Sequence, residues 1–137
     1  MHRWSMRYTS VRGSVPDVRA EVTQTLHSWC CGSQTVSDAV LITNELAANA
    51  VCHGHVRGRF FEVTVTREAG ELVIEVSDAH PEPPRLNETD DDTDEGGRGL
   101  RIVEMLSTKW GSREGPGGIG KTVWARLPMT AEGHATL

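Results

Sequence analysis

The chain has 137 residues, a net charge of −5, 37% hydrophobic residues and 24% charged residues. That length suits one domain over residues 1–137, able to bury a core without metals or disulfides, and the acidic balance argues against nucleic acid as the main partner. No apolar run approaches the roughly 20 residues of a membrane-spanning helix, and Met1-His2-Arg3-Trp4-Ser5 leads into no signal-peptide core, so no membrane partner and a cytoplasmic location are expected.

Residues 3–9 alternate as a first strand. Ser14 is the expected cap of a first helix, with Asp17 three residues on and Pro16 tolerated in its first turn. Val15, Val18, Val22, Leu26 and Trp29 follow at helical spacing, and Gly32 is the expected stop. A second helix starts at Ser33 or Ser37 and runs to about Gly54. Val36, Val40, Thr43, Ala47, Ala50 and Val51 cluster on one of its sides, and Glu45, Asn49 and His53 form a polar stripe elsewhere, flanked by Ile42 and Leu46.

Residues 59–66 and 72–77 read as a hairpin turning at Gly70. Pro81, Pro83 and Pro84 then forbid regular structure. Glu88, Asp90, Asp91, Asp92, Asp94 and Glu95 alone supply −6 against the whole-chain −5, so the remainder carries about +1. Gly96-Gly97-Arg98-Gly99 opens a third helix carrying Leu100, Ile102, Val103, Met105 and Leu106. Two closing strands fall near 108–114 and 121–127, with a tail after about 128. The order predicts an α+β fold. It is a two-layer sandwich of a mixed, mostly antiparallel sheet with about three helices on one face.

Four places can carry chemistry. On Glu45, Asn49 and His53, a carboxylate suits hydroxyl activation and an amide oxygen suits Mg²⁺. Alone, such a triplet is more often a solvated helix face. Asp78 ends an apolar strand, where a carboxylate can accept a bond from an exocyclic amino group or simply form a turn. The glycines of residues 96–99 permit close backbone approach, and the new helix offers amides to phosphate; a flexible loop ending in a cap reads the same way. Thr122 is polar among the apolar residues of the last strand, which β-propensity alone explains. Cys30, Cys31 and Cys52 are odd in number, and two are adjacent, which matches neither a disulfide framework nor a zinc spacing.

Taken in order, these four resemble the N, G1, G2 and final-strand motifs of the GHKL (Bergerat-fold) ATPase superfamily of gyrase, MutL and histidine kinases. The phrases Ile42-Thr43-Asn44-Glu45-Leu46, Asn49-Ala50-Val51-Cys52-His53-Gly54 and Gly120-Lys121-Thr122-Val123-Trp124 are similar to the small anti-sigma-factor serine/threonine kinases and related actinobacterial ATP-binding regulators. No phosphoacceptor-histidine helix pair is expected before the domain and no transducer domain after it.

The resemblance implies ATP and Mg²⁺ as cofactors. Asn49 would ligate Mg²⁺ and Glu45 would polarise a serine hydroxyl of a protein substrate. Asp78 would bind the adenine amino group with support from Thr122. Gly97, Gly99 and the amide of Leu100 would enclose the phosphates, Arg98 would help neutralise them, and His53 would lie on the phosphate side. It further implies a homodimer whose partners are an anti-anti-sigma protein and a sigma factor, with residues 86–98 as a lid. A non-catalytic nucleotide-sensing module is the alternative. One departure stands out: His80 occupies the position where the G1 motif places glycine, two residues after Asp78.

Overall fold

The structure, a computed structural model, describes residues 2–53, 55–81 and 95–129, apart from the side chains of residues 95–99. The acidic stretch up to Asp94, Pro83 and Pro84, most of the expected lid and the tail from residue 130 lie outside the described residues. Residues 95–98, read as the end of that lid, belong to a helix.

The elements run β1 (His2–Thr9), α1 (Ser14–Ser28), α2 (Ser33–Cys52), β2 (Phe60–Glu68), β3 (Glu71–Asp78), α3 (Glu95–Leu106), β4 (Lys109–Glu114) and β5 (Lys121–Pro128), with one 3-10 turn at Pro116–Gly118. The five strands form one sheet in the order β1-β2-β3-β5-β4. The expected mixed sheet is antiparallel in each neighbouring pair. The connection through α3 does make β4 run parallel to β3, but β5 fills the place between them.

Period-2 alternation sets the two faces of the sheet. In β3, Leu72, Ile74, Val76 and Asp78 are buried while Glu71, Val73, Glu75 and Ser77 are partly open. Phe61, Val63 and Val65 of β2, and Val123, Ala125 and Leu127 of β5, continue the buried face. The helices cover it. α2 packs on β2, β3 and β5 and lies between α1 and α3. Ile42, Leu46, Ala47 and Ala50 of α2 are buried, and each large apolar side chain so buried contributes about 1.5–3 kcal/mol. Leu46→Ala alone would cost about 2–5 kcal/mol.

The opposite face is a polar ladder. Ser5 bonds Thr64 at 2.9 Å, Ser77 bonds Thr122 at 2.7 Å, and Arg113 pairs with Glu75. The β2–β3 turn is Ala69-Gly70, both at positive φ (50° and 78°), as a two-residue hairpin with right-handed strand twist requires.

Two boundaries differ from the sequence reading. Ser14 is not a cap, because its backbone is already helical and its hydroxyl donates to the Thr9 carbonyl, fastening α1 to the end of β1. Gly32 does not end α1. The chain turns at Cys30, which takes the left-handed conformation (φ 59°), while Cys31 N–H bonds Leu26 O and Cys30 N–H bonds His27 O. That is a Schellman stop with cysteine where glycine is usual. Gly32 instead precedes α2 as its N-cap.

Candidate functional site

Arg19 donates to Asn44 Oδ1 at 2.7 Å, so the Asn44 side of α2 faces α1. At about 100° per residue, Asn49 stands about 140° further round the helix, with Glu45 and His53 within about 40° on either side of it. The stripe is therefore turned from α1 toward α3, beside the buried Ile42 and Leu46. Glu45 and Asn49 are half-buried; His53 is exposed and caps the helix, its N–H on Asn49 O. Glu45 Oε1 accepts from Asn44 Nδ2 at 3.4 Å, which links it through Asn44 to Arg19. The Asn49 side chain makes no hydrogen bond among the described residues. A half-buried, unengaged amide oxygen fits a Mg²⁺ ligand. Among the described residues no group of three His, Cys, Asp or Glu side chains is placed to hold a metal.

Topology brings the last turn of α2 and Asp78 to the same end of the sheet. Residues 53–59 lead from α2 into Phe60, and Glu62 pairs with Ser77, so β2 begins where β3 ends. His55 Nδ1 lies 3.1 Å from the hydroxyl of Ser10, just past the adjoining end of β1. α3 stops two residues before Lys109, which pairs with Arg126 at the other end of the sheet. Its glycine-bearing N-terminus, about 18 Å away along the helix, is the end directed back toward Asp78.

Asp78 is not an open acceptor. Lys121 sits directly opposite it in the β3–β5 register, with Nζ 3.0 Å from both carboxylate oxygens and 3.3 Å from the His80 carbonyl. His80 N–H donates to Asp78 Oδ1 at 2.9 Å, closing a turn through the backbone. The Asp78 and Lys121 side chains are 4% and 6% exposed. Burial pushes the Asp78 carboxyl above the usual carboxylate range; the Lys121 ammonium, through its hydrogen bond and its charge, opposes this without reversing it.

Thr122 faces away from the Asp78 carboxylate. Alternation along β5 puts Lys121, Val123, Ala125 and Leu127 on the helix-facing side, so Thr122 points to the opposite face, where its hydroxyl meets Ser77. Lys121 is the residue that the sequence-based candidates lack. The signal was present as parity: counting back by twos from Leu127 reaches Lys121, never Thr122.

The amide of Leu100 lies within a helix. Leu100 is the sixth residue of α3 and is 2% exposed, so its N–H falls inside the helical ladder, as does that of Gly99. The unbonded amides of a helix belong to its first turn, here Glu95, Gly96 and Gly97. The side chain of Arg98 lies outside the described residues. Asn49, His53 and Asp78 thus lie at one end of the molecule, the end from which α3 starts, with Glu45 one turn deeper; Thr122 lies on the opposite face of the sheet and the Leu100 amide within α3.

Two cavities open on the described surface. One of 560 Å³ lies between α1 and α2, bordered by Arg19, Val36, Val40, Leu41 and Asn44. One of 270 Å³ lies at the sheet's end, bordered by Arg7, Phe60, Glu62, Ser77, Asp78 and Ile119. Neither includes Asn49.

A five-stranded antiparallel sheet with α2 packed on one face, between α1 and α3, defines an α+β fold. A family model described as a histidine kinase-like ATPase domain matches residues 9–127, and the chain belongs to that family. A crystal structure of the RsbU and RsbW domains of Rv1364c from Mycobacterium tuberculosis is similar, with a TM-score of 0.66 and 18% identity. The likeness covers 96% of this chain and 34% of that one, so this chain spans about a third of that chain's length. At that identity it shows the fold. No curated protein matches the chain.

Proposed function

We propose that this chain binds ATP with Mg²⁺ and acts as an anti-sigma-factor-type protein serine/threonine kinase. It would transfer the γ-phosphate to a serine of an anti-anti-sigma partner and so regulate a sigma factor. The observation that carries this reading is the Asn49 amide. It is half-buried and has no hydrogen bond among the described residues, on the α3-facing side of α2, one turn from the Glu45 carboxylate.

Bound ATP supplies the phosphoryl group, and such transfer relies on positioning and charge stabilisation more than on covalent help from the protein. Asn49 would hold the Mg²⁺. Glu45 would accept the proton of the serine hydroxyl, its orientation set by Asn44, which Arg19 holds in turn. The free amides of the first turn of α3 suit the phosphates. β1 is an edge strand with Met6 42% exposed, which suits the contact of a homodimer. No described helix is long and apolar enough to cross a membrane. The cytoplasm is the location this reading requires.

A second reading, a nucleotide-sensing module without transferase activity, is favoured by the closure of Asp78 by Lys121. Incubation with γ-labelled ATP and candidate partner proteins separates the two. The kinase reading expects label on a partner serine, reduced at least about 100-fold by Glu45→Ala. Unchanged transfer by Glu45→Ala contradicts the role of Glu45. Mg-ATP binding with no transfer to any partner supports the second reading.

A further inference from the structure

The Asp78–Lys121 pair has a consequence for which nucleotides the site accepts. Lys121 has three N–H donors, and all three have acceptors: the two oxygens of Asp78 and the His80 carbonyl. Asp78 Oδ1 carries a second donor, the His80 N–H. Both side chains are almost wholly buried.

The pair is also held in place. Lys121 is the direct register partner of Asp78, and the preceding Gly120 packs so closely that a Cβ there would stand 1.9 Å from the Asp78 carbonyl oxygen. Separating the two side chains would leave a buried charge without its partner, which is strongly unfavourable. An incoming amino group therefore meets a carboxylate whose charge is already matched. It gains a hydrogen bond there only by weakening another.

We infer that Lys121 makes the base site insensitive to the exocyclic amino group, so that the triphosphate rather than the adenine edge carries binding. This rests on the ATP-binding reading of the same site. Lys121 is then a specificity-determining residue: it broadens the ligand class from adenine nucleotides to purine nucleoside triphosphates in general.

The experiment compares Mg-ATP with the magnesium complex of purine riboside triphosphate, which differs only in lacking the 6-amino group. Dissociation constants are measured by calorimetry for the wild type, Lys121→Thr and Lys121→Met, each first shown to melt cooperatively. The wild type is expected to bind the two nucleotides within about threefold of each other, and Lys121→Thr to bind ATP at least about tenfold tighter while purine riboside triphosphate changes less than about threefold. Asp78→Asn added to Lys121→Thr should remove the gain. A wild-type preference for ATP of about tenfold or more overturns the inference, and needs no variant to fold. Equal shifts of both nucleotides in the Lys121 variants overturn it too. If no form of the protein binds either nucleotide, the ATP-binding reading itself fails and takes the inference with it.

Discussion

Gly120 lies so close to Asp78 that a Cβ on Gly120 would stand 1.9 Å from the Asp78 carbonyl oxygen and 2.8 Å from the Cα of Ala79. Its φ of 65° is in the left-handed region as well. Gly120→Ala must therefore push β5 off β3 and strain the backbone, at a cost of about 3 kcal/mol or more. Gly117 has a similar φ of 68° but open space around it, so Gly117→Ala should cost only about 1 kcal/mol. Urea denaturation of the two variants measures the difference. Equal costs would show that the close approach at Gly120 has no energetic weight.

The buried pair should be cooperative. Removing either partner alone, by Asp78→Ala or Lys121→Met, is expected to cost about 3–5 kcal/mol, and the double variant less than the sum. The Lys121→Met penalty should depend on pH. Burial holds the Asp78 carboxyl above its ordinary value, and without Lys121 only the backbone N–H and the charge of His80 oppose it. A carboxyl raised in the folded state contributes stability that is fully present below its unfolded value, about 3.9, and is lost as pH rises through the folded value. The variant should thus be least impaired in acid and lose stability as pH rises from about 4 toward neutrality. Thermal melting across that range gives the slope.

Tyr8 fixes β1 to α1. Its hydroxyl donates to Glu21 at 2.7 Å, and its ring stacks on Phe61 with centroids 5.5 Å apart. Burial first, then the bond to Glu21 and the charges of Glu21 and Asp17, raise the phenol well above its ordinary value. The stability this gives is fully present below the unfolded value of about 10 and lost as pH rises toward the folded one. Tyr8→Phe keeps the ring but loses the bond, so it should cost about 1 kcal/mol at neutral pH. The gap between wild type and variant should close above about pH 10. Denaturation at neutral and alkaline pH tests both.

Most of the fold was legible because its periodicities are local. Val18, Val22 and Leu26 mark the inner side of α1, and Leu72, Ile74 and Val76 mark the inner face of β3, without reference to any other element. The stripe of Glu45, Asn49 and His53 was legible for the same reason. What failed depended on contacts distant in sequence. Ser14 looked like a cap until Thr9 took its hydroxyl. Asp78 looked open until the β3–β5 register, a pairing of strands more than forty residues apart, set Lys121 against it. Thr122 was chosen for its polarity when its parity with Trp124 and Arg126 already put it on the outer face. The Cys30 stop was hidden because cysteine seldom takes a left-handed turn that glycine adopts freely.

In the proposed function α2 holds Mg-ATP through Asn49, and thermal unfolding of the wild type and of Asn49→Ala, with and without Mg-ATP, puts that role to the test. At nucleotide 100-fold above the dissociation constant, the wild type should gain about 2.7 kcal/mol of stability. Asn49→Ala should melt near the wild type without ligand, because its side chain bonds nothing described, yet gain little from Mg-ATP. A wild type whose melting is unmoved by millimolar Mg-ATP, or an Asn49→Ala variant stabilised as fully as the wild type, would contradict the account.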